Sequence, residues 1–574
     1  MRGIDWLVLV CTLGGIITYG IYRSRTTRNL EGYFLSNREM PWFMVLLSIM
    51  GTQASAITFL SAPGQAYTDG MRFVQYYLGL PLAMIVLSIS FVPIFHKLRL
   101  FTAYEFLEKR FDHKTRLYIS FLFLLSRGLS TGISVYAPSI ILSSLLGWNI
   151  YWTIVVMGGL LIIYTVSGGA RAVAYTQRLQ LAIVFAGMFV AGYTVVKMLP
   201  DGIGFGEALN ISGKLGKMNV ITTGISEKGF DWTDRYNIFS GLIGGFFLAL
   251  SYFGTDQSQV GRYLTAKSLK ESRMGLLMNG LVKVPMQFFI LLVGALVLSF
   301  YQFNPSPLFF NRVPVEKIRQ SAYTDTLQRL EARHAEMLAR KSAVVAQLPP
   351  ALSTPASVDE DSLYSRLRVI HGEEQVMRKQ MSSMILKSGA RSEDSDTNYI
   401  FLRFVVDHLP AGLVGLLIAV IFLAAWGSIA AALNSLASST MIDFHKKFSP
   451  LFLNAEQEYR ISKWYTLGWG IFCIAVAQFA TGMGSLIEAV NVLGSWFYGV
   501  MLGVFLVAFY LKKVGGHAVF WAAILGEVLV IGMFAFTKIG WLWLNAVGAI
   551  AVVILALVLQ ETLFKRYEVK SEKL

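Results

Sequence analysis

Between Met50 and Gly70 the chain reads MGTQASAITFLSAPGQAYTDG, inside an apolar run that starts at Trp42. The stretch carries Gly51, Thr52, Gln53, Ser55, Thr58 and Ser61 and closes on Pro63 and Gly64. A helix facing lipid gains nothing from so many small and polar residues. A helix that unwinds around an ion or a solute does, because freed carbonyls at bilayer depth are tolerated only where they line a cavity or are buried in protein. The second group with chemical potential is Arg127, eleven residues after Arg116 in another apolar run, hence about 16 Å along a helix and near the bilayer midplane. Such an arginine is costly unless paired, so it should face the bundle. Thr131 and Ser134, at i+4 and i+7, extend a polar stripe on its face.

The elements that must position these residues are membrane spans. Of the 574 residues, 55% are hydrophobic and 15% charged, and the mean hydropathy is +0.54, which places the chain in the polytopic membrane class. Apolar runs of roughly 18 or more residues lie near 4–22, 42–64, 75–95, 117–146, 151–167, 177–199, 238–260, 275–303, 405–440, 461–481, 485–510, 517–536 and 541–563. About thirteen transmembrane helices are therefore expected, in an all-α fold. The net charge of +15 would suggest nucleic acid in a soluble protein. Here the cations cluster in short loops, so they orient the chain in the bilayer instead.

Arg23, Arg25 and Arg28, then Lys97, Arg99, Lys109, Arg110, Lys114 and Arg116, then Arg262, Lys267, Lys270 and Arg273 mark cytoplasmic loops. His445, Lys446 and Lys447, Lys512 and Lys513, and finally Lys565, Arg566 and Lys570 continue the alternation. It predicts a multi-pass protein of the plasma or inner membrane with its N-terminus outside and its C-terminus cytoplasmic. The first apolar run lacks a preceding basic region and a small-residue cleavage site, and reads as a retained span. Cys11 and Cys473, both in apolar runs, support neither a disulfide framework nor a thiolate metal site.

One segment breaks the pattern. From 304 to 397 acids and bases are nearly balanced and no run is long enough to span. Leu327, Leu330, Met337 and Leu338 make one amphipathic stripe, and Leu363, Leu367, Ile370 and Met377 another, with Pro349, Pro350 and Pro355 between them. The expectation is a charged helical hairpin inserted on an extracellular loop, or a docking surface for a protein partner. The chain thus divides into 1–303 (spans one to eight), 304–397 (the insertion) and 398–574 (spans nine to thirteen and a short tail).

Four stretches, TVSGGARAVAYTQRLQLAIVF from Thr165, FLAAWGSIAAALNSLASSTMIDFH in the ninth span region, YFGTDQSQVGRYLTAKSLKES from Tyr252 and FTAYEFLEKRF from Phe101, resemble the sodium:solute symporter family of sugar, proline, iodide and sialic acid transporters. The resemblance implies a leucine-transporter-like core of two five-helix inverted repeats, the first over 42–199 and the second beginning over 238–303, with one leading and two trailing helices. It also implies a sodium ion, co-transported, between the first and eighth core helices. Carried over by position, Gly51 and Ala54 supply carbonyls from the first, and Ala424 and Ser428 a carbonyl and a hydroxyl from the eighth. Such neutral hard oxygens suit a monovalent ion. Gly427 departs from the family, where many members have a second serine. Helix packing by small residues is the structural alternative.

A second sodium site in some members uses an acid in a TD-x-x-Q motif and further serines. Here Thr176, Gln177, Arg178, Leu179 and Gln180 stand in the motif and Ala430 and Ala431 at the serine positions, so one sodium per cycle is expected. In the sialic acid branch the position of Arg127 resembles a carboxylate clamp, with Ser55, Thr58 and Gln75 near that branch's other ligand positions. A guanidinium holds a carboxylate through two parallel hydrogen bonds. The alternative is a structural pairing of Arg127 with helix carbonyls or a protein acid. Tyr252 matches an aromatic that caps the solute from the cytoplasmic side. The sugar branch has less support: its site asparagine is Ala249 here, and Lys283, near its lysine, could simply snorkel to the interface. Asp256 and Asp443, near span ends, read as capping or loop-pairing residues.

These features favour a sodium-coupled symporter, working by alternating access, for a carboxylate-bearing solute such as sialic acid or another organic anion. A sodium/sugar symporter is the alternative, and a transporter-like solute sensor the alternative of another class. A membrane enzyme is disfavoured, since the seven histidines fall in loops or near span ends and form no midplane cluster. Expected partners are the solute, sodium and the lipid bilayer, with no nucleic acid.

Overall fold

A computed structural model describes residues 2–24, 30–348, 358–388, 395–449, 454–480 and 483–565; for 17, 20–24, 30–32, 167–175, 178 and 358–360 only the backbone is described. Arg25, Arg28, Pro349, Pro350, Pro355, Arg566 and Lys570, the side chains of Arg23 and Arg178, and those of Ser167 to Tyr175 in the Thr165 motif lie outside the described residues.

The fold is all-α, with one two-residue hairpin ladder, Ile225–Ser226 against Gly229–Phe230. The helices used below are α1 (Gly3–Ser24), α2 (Trp42–Gln53), α3 (Ala56–Asp69), α4 (His113–Leu146), α5 (Ile150–Lys197), α6 (Gly245–Thr255), α7 (Gln257–Tyr263), α8 (Leu269–Phe303), α9 (Thr324–Val345), α10 (Val358–Lys387), α11 (Thr397–His408), α12 (Leu413–Ser439), α13 (Ala455–Ala477), α14 (Leu486–Tyr510), α15 (Gly516–Phe536) and α16 (Trp541–Thr562). Among the described residues, eight helices are long and apolar enough to cross a membrane, nine when the bent α2/α3 pair is taken as one span. Gly3–Ile16, Ile150–Val166 and Ser240–Thr255 are shorter apolar helices. α13 is the remaining apolar run; its first turns carry Glu456, Glu458, Arg460 and Lys463. Each expected run is helical over most of its described residues, with two changes of boundary: 151–167 and 177–199 lie in one continuous helix, α5, and the ninth run is divided. Residues 405–408 belong to the separate helix α11, and the ninth span starts at Leu413, after Gly412 at φ 87°.

Among the described residues two spans are broken by extended backbone, and they are the ones expected to open the two repeats. α2 and α3 meet at a 61° bend around Ala54 and Ser55. α6 ends at Asp256, whose φ/ψ of −78°/115° interrupt the helix before α7 begins. Where the backbone bends, carbonyls lose their donors. Ser55 N–H donates to Gln53 and Thr58 N–H to Ser55, so the carbonyls of Gly51 and Ala54 receive no backbone amide among the described residues.

The core lies where α12 packs against α2, α4 and α5, and α12 is buried along nearly its whole length. Outside the bundle, α9 and α10 form a hairpin with its own apolar cluster, including Leu327, Met337, Met381 and Ile385. The hairpin rests on the end of α3. Arg378 pairs with Asp396 at 2.5 Å, and its guanidinium lies 5.7 Å from the Tyr67 ring and 4.9 Å from that of Phe310. Buried Glu374 accepts from Ser306 at 2.6 Å and faces Lys341 at 3.4 Å. Burial alone would raise this carboxyl's pKa, but Lys341, Ser306 and Arg378 hold it down at about 2.

Candidate functional site

The first helix break faces a central cavity of about 130 Å³. Its walls come from α2 and α3 (Thr52, Gln53, Ser55, Thr58), α4 (Arg127, Thr131, Ser134), α6 (Ala249, Tyr252), α8 (Lys283), α12 (Ser428, Ala432) and α14 (Asn491, Tyr498), with Tyr76 and Tyr77 from the segment before Leu80. Five of the nine residues assigned to the solute and sodium sites therefore converge: Ser55, Thr58, Arg127, Tyr252 and Ser428.

Ser55 reaches the cavity because it caps α3 in extended conformation, at φ −83° and ψ 169°. Thr58, one turn on, donates to the Gln53 carbonyl at 3.4 Å. The Arg127 stripe is helical, as its spacing requires: Thr131 Oγ1 donates to the Arg127 carbonyl at 2.6 Å and Ser134 Oγ to Ser130 at 2.9 Å.

Arg127 is buried and bonded on one side. Its Nη2 donates to the Tyr252 hydroxyl at 3.2 Å and to Ser258 Oγ, and its Nε lies 3.8 Å from Asp256 Oδ2 with no hydrogen-bond partner. The structural pairing with a protein acid is thus present, and Arg127 lines the cavity as well. Asp256 caps α7, accepting from Ser258 N–H at 2.8 Å, and also accepts from the Tyr498 hydroxyl at 3.0 Å. Gln259 Nε2 donates to Tyr252 at 2.7 Å. Arg127, Tyr252 and Tyr498 floor the cavity, and Ser258, Gln259 and Asp256 bond them from beneath. They tie α4 and α14 to both sides of the second helix break.

Gln75 is a correction. It is fully buried, but not on the cavity. Its Nε2 donates to Thr222 Oγ1 at 3.0 Å and to the Tyr236 carbonyl at 3.3 Å, while its Oε1 accepts from Thr222 N–H at 3.1 Å. The helix here is of the tighter three-residue type, Met71–Tyr77. That turns Gln75 toward the 219–240 connection and its neighbours Tyr76 and Tyr77 toward the cavity. Tyr76 then bonds Asn491 Oδ1 at 3.0 Å. Lys283 is the second departure. It does not snorkel, being 2% exposed, lining the cavity and lying 5.7 Å from the Tyr77 ring.

Gly51, Ala54 and Ala424 are buried and do not line the cavity, and α2, which carries Gly51, packs against α12, which carries Ala424. Ser428 lines the wall and donates to the Ala425 carbonyl at 3.0 Å. The freed carbonyls of Gly51 and Ala54 are hard, uncharged oxygen donors of the kind a sodium ion takes. Gln177 of α5 fills the adjoining space. A Cβ on Gly51 would meet its Cγ at 2.8 Å, Ser48 Oγ donates to its Oε1 at 3.2 Å, and its Nε2 donates to the Gly427 carbonyl at 3.3 Å. Asp443 pairs deeply, with Arg116 at 2.6 Å.

Sequence reasoning missed the Gln177 strut, the Asn491 and Tyr498 wall, and the contact of Ser258 with Arg127. For Gln177 a signal existed, since an amide standing where the family motif leads one to expect an acid retains a donor that the acid lacks.

A profile of the sodium:solute symporter family matches residues 33–324 and 374–526. Over 556 residues the chain is 25% identical to the "Sodium/sialic acid symporter SiaT" of Proteus mirabilis, covering 96% of this chain and 93% of that one. It is 24% identical to the "Sodium/sialic acid symporter NanT" of Aliivibrio fischeri, covering 96% and 92%. Among solved structures, a substrate-bound outward-open Na⁺-coupled sialic acid symporter shares the fold, with a TM-score of 0.75, 23% identity and 98% of each chain covered.

Proposed function

The chain belongs to the sodium:solute symporter family, and from that premise we propose that the solute it carries with sodium bears a carboxylate, sialic acid being the first candidate. The observation that carries this reading is the convergence of Arg127, Ser55 and Thr58 on one cavity beside the broken helix. Among the described residues two cations, Arg127 and Lys283, line that cavity, and no carboxylate does. The one acid near Arg127 is Asp256, at 3.8 Å beneath the floor. An anion is favoured over a neutral sugar by that charge, and by apolar Ala249 on the wall. The two relatives named for sialic acid and aligned over nearly the whole chain support the same choice.

Arg127 and Lys283 hold the carboxylate, Ser55 and Thr58 hydrogen-bond the solute from the broken helix, and Tyr252 closes it off from below. Sodium sits between α2 and α12 on the carbonyls of Gly51, Ala54 and Ala424 and the hydroxyl of Ser428. There it holds the bent helix in the shape that presents Ser55 and Thr58. By linkage, sodium then raises solute affinity as much as solute raises sodium affinity. The N-terminus lies outside and the C-terminus in the cytoplasm, as the basic loops imply. The α9/α10 hairpin lies outside the membrane within the 304–397 insertion, and 1–303 and 398–574 carry the transport core.

The cavity size favours a second reading. About 130 Å³ is close to the ~150 Å³ of a cavity that takes a benzene-sized ligand, which suits a short monocarboxylate. Sodium-dependent uptake into proteoliposomes, with sialic acid and short monocarboxylates in competition, decides between the two. Arg127→Ala uptake equal to wild type for either anion would refute the clamp.

A further inference from the structure

Beneath the cavity floor lies a second, narrow space of about 10 Å³, lined by Phe34, Leu35, Gln257, Gly261, Arg262, Asn434, Ser435 and Ser438. No acid lines it. Arg262 is 3% exposed. Its Nε donates to the Ser258 carbonyl at 3.4 Å and its Nη2 to the Ala431 carbonyl at 3.2 Å. Its Nη1 is buried with no partner. Across the space Asn434, 2% exposed, has neither its amide nitrogen nor its oxygen bonded. Gln257, by contrast, is fully engaged with Ala103 and Phe101.

A buried guanidinium with a free donor and no described carboxylate at ion-pair distance is expensive to maintain at this depth. An arginine needed only to tie backbone carbonyls together could be replaced by a neutral donor. The link to the cavity above runs through one residue. Ser258 accepts from Arg127 through its hydroxyl and from Arg262 through its carbonyl. The two guanidiniums therefore stand on opposite sides of the floor, one facing the cavity and one facing the space below.

We propose that Arg262 and Asn434 form an inner anion subsite, closed in this conformation, which takes the solute's carboxylate from Arg127 when the floor opens toward the cytoplasm. The inference rests on the carboxylate reading of the cavity. Arg262 Nη1 and the Asn434 amide supply the donors, and opening the floor frees Ser258 from Arg127 while α7 carries Ser258 and Arg262 together. The subsite repels sodium and attracts the solute, so ion and solute leave by different contacts.

The test uses the full-length protein in proteoliposomes, with sialic acid as the probe and half-saturation measured separately from the outer and inner faces. Arg262→Gln keeps a hydrogen-bond donor for the Ala431 carbonyl but removes the charge. It is expected to leave the outer-face value near wild type and raise the inner-face value roughly tenfold, the loss of one charge-assisted bond. Asn434→Ala should shift the inner-face value in the same direction by a smaller factor. An unchanged inner-face value in Arg262→Gln overturns the proposal. If that variant does not fold, an unchanged inner-face value in Asn434→Ala overturns it instead. A wild-type protein with no outer-face binding of sialic acid, or Arg127→Ala binding it normally, removes the premise and this inference with it. That outcome differs from an inner-face value that stays put while outer-face binding is intact.

Discussion

The Gln177 amide donates to the Gly427 carbonyl at 3.3 Å while its oxygen accepts from Ser48 at 3.2 Å. One neutral side chain of α5 thus braces the first core helix against the eighth, beside the carbonyls assigned to sodium. The family resemblance of the Thr176–Gln180 motif implies an acid at this position where a second sodium site is present. An amide donor pointing at a carbonyl repels a cation from the same spot.

The first prediction follows directly. Transport should couple one sodium ion to each solute, measured as paired fluxes of labelled sodium and solute. A ratio of two would contradict the strut. Gln177→Ala should lower stability by about 1–3 kcal/mol, because it leaves buried polar groups unsatisfied, and thermal unfolding in detergent reads that loss.

Ser428 contributes the one side-chain oxygen of the proposed ion site, the other three ligands being backbone. Ser428→Ala should raise the sodium half-saturation of uptake by roughly tenfold, the worth of one hydrogen-bond-strength contact, with expression unchanged. Sodium dependence identical to wild type would place the ion elsewhere.

Arg127 and Asp256 are buried partners, so removing one leaves the other uncompensated, at about 3–5 kcal/mol. Arg127→Gln should therefore destabilise strongly, and the double variant Arg127→Gln with Asp256→Asn less than the single one. A double-mutant cycle on thermal unfolding gives the coupling. Strictly additive losses would mean that the 3.8 Å separation carries no interaction.

Gln75 is bonded into the 219–240 connection rather than the cavity. Gln75→Ala should lower stability by about 1–3 kcal/mol and leave solute half-saturation as it is. A changed half-saturation at intact stability would return Gln75 to the solute site.

The α9/α10 hairpin should loosen in acid. Burial holds the His371 imidazole down to about 4, against an ordinary 6.5. Its contribution is complete above pH 6.5 and is lost as pH falls from there to about 4, because over that window the unfolded hairpin takes up a proton and the folded one does not. The gap corresponds to at most about 3 kcal/mol. Glu374, held at about 2 against 4.5, adds a loss of the same sign between those two values. Hydrogen exchange in Thr324–Val345, corrected for its intrinsic pH dependence, should show easier opening at pH 5 than at pH 7.5. Equal opening at both would contradict the assignment.

Spans, bend and family were legible in the chain because each leaves a local mark. Apolar runs near the bilayer's thickness fix where helices cross, and the polar cluster from Gly51 to Ser61 in an otherwise apolar run marks a backbone that must unwind. Arg127 announced itself by depth alone. The tertiary structure decided which partners these residues have, since partners come from spans far apart in sequence. Asp256 faces Arg127 across 129 positions only because a second helix breaks there. Gln75 turns away from the cavity because a tight helical turn rotates it toward the 219–240 connection. Lys283, which the sequence left free to snorkel, is held inward beside Tyr77. Composition and periodicity specify what a residue can do at a given depth, but only packing specifies which side of the helix it does it on.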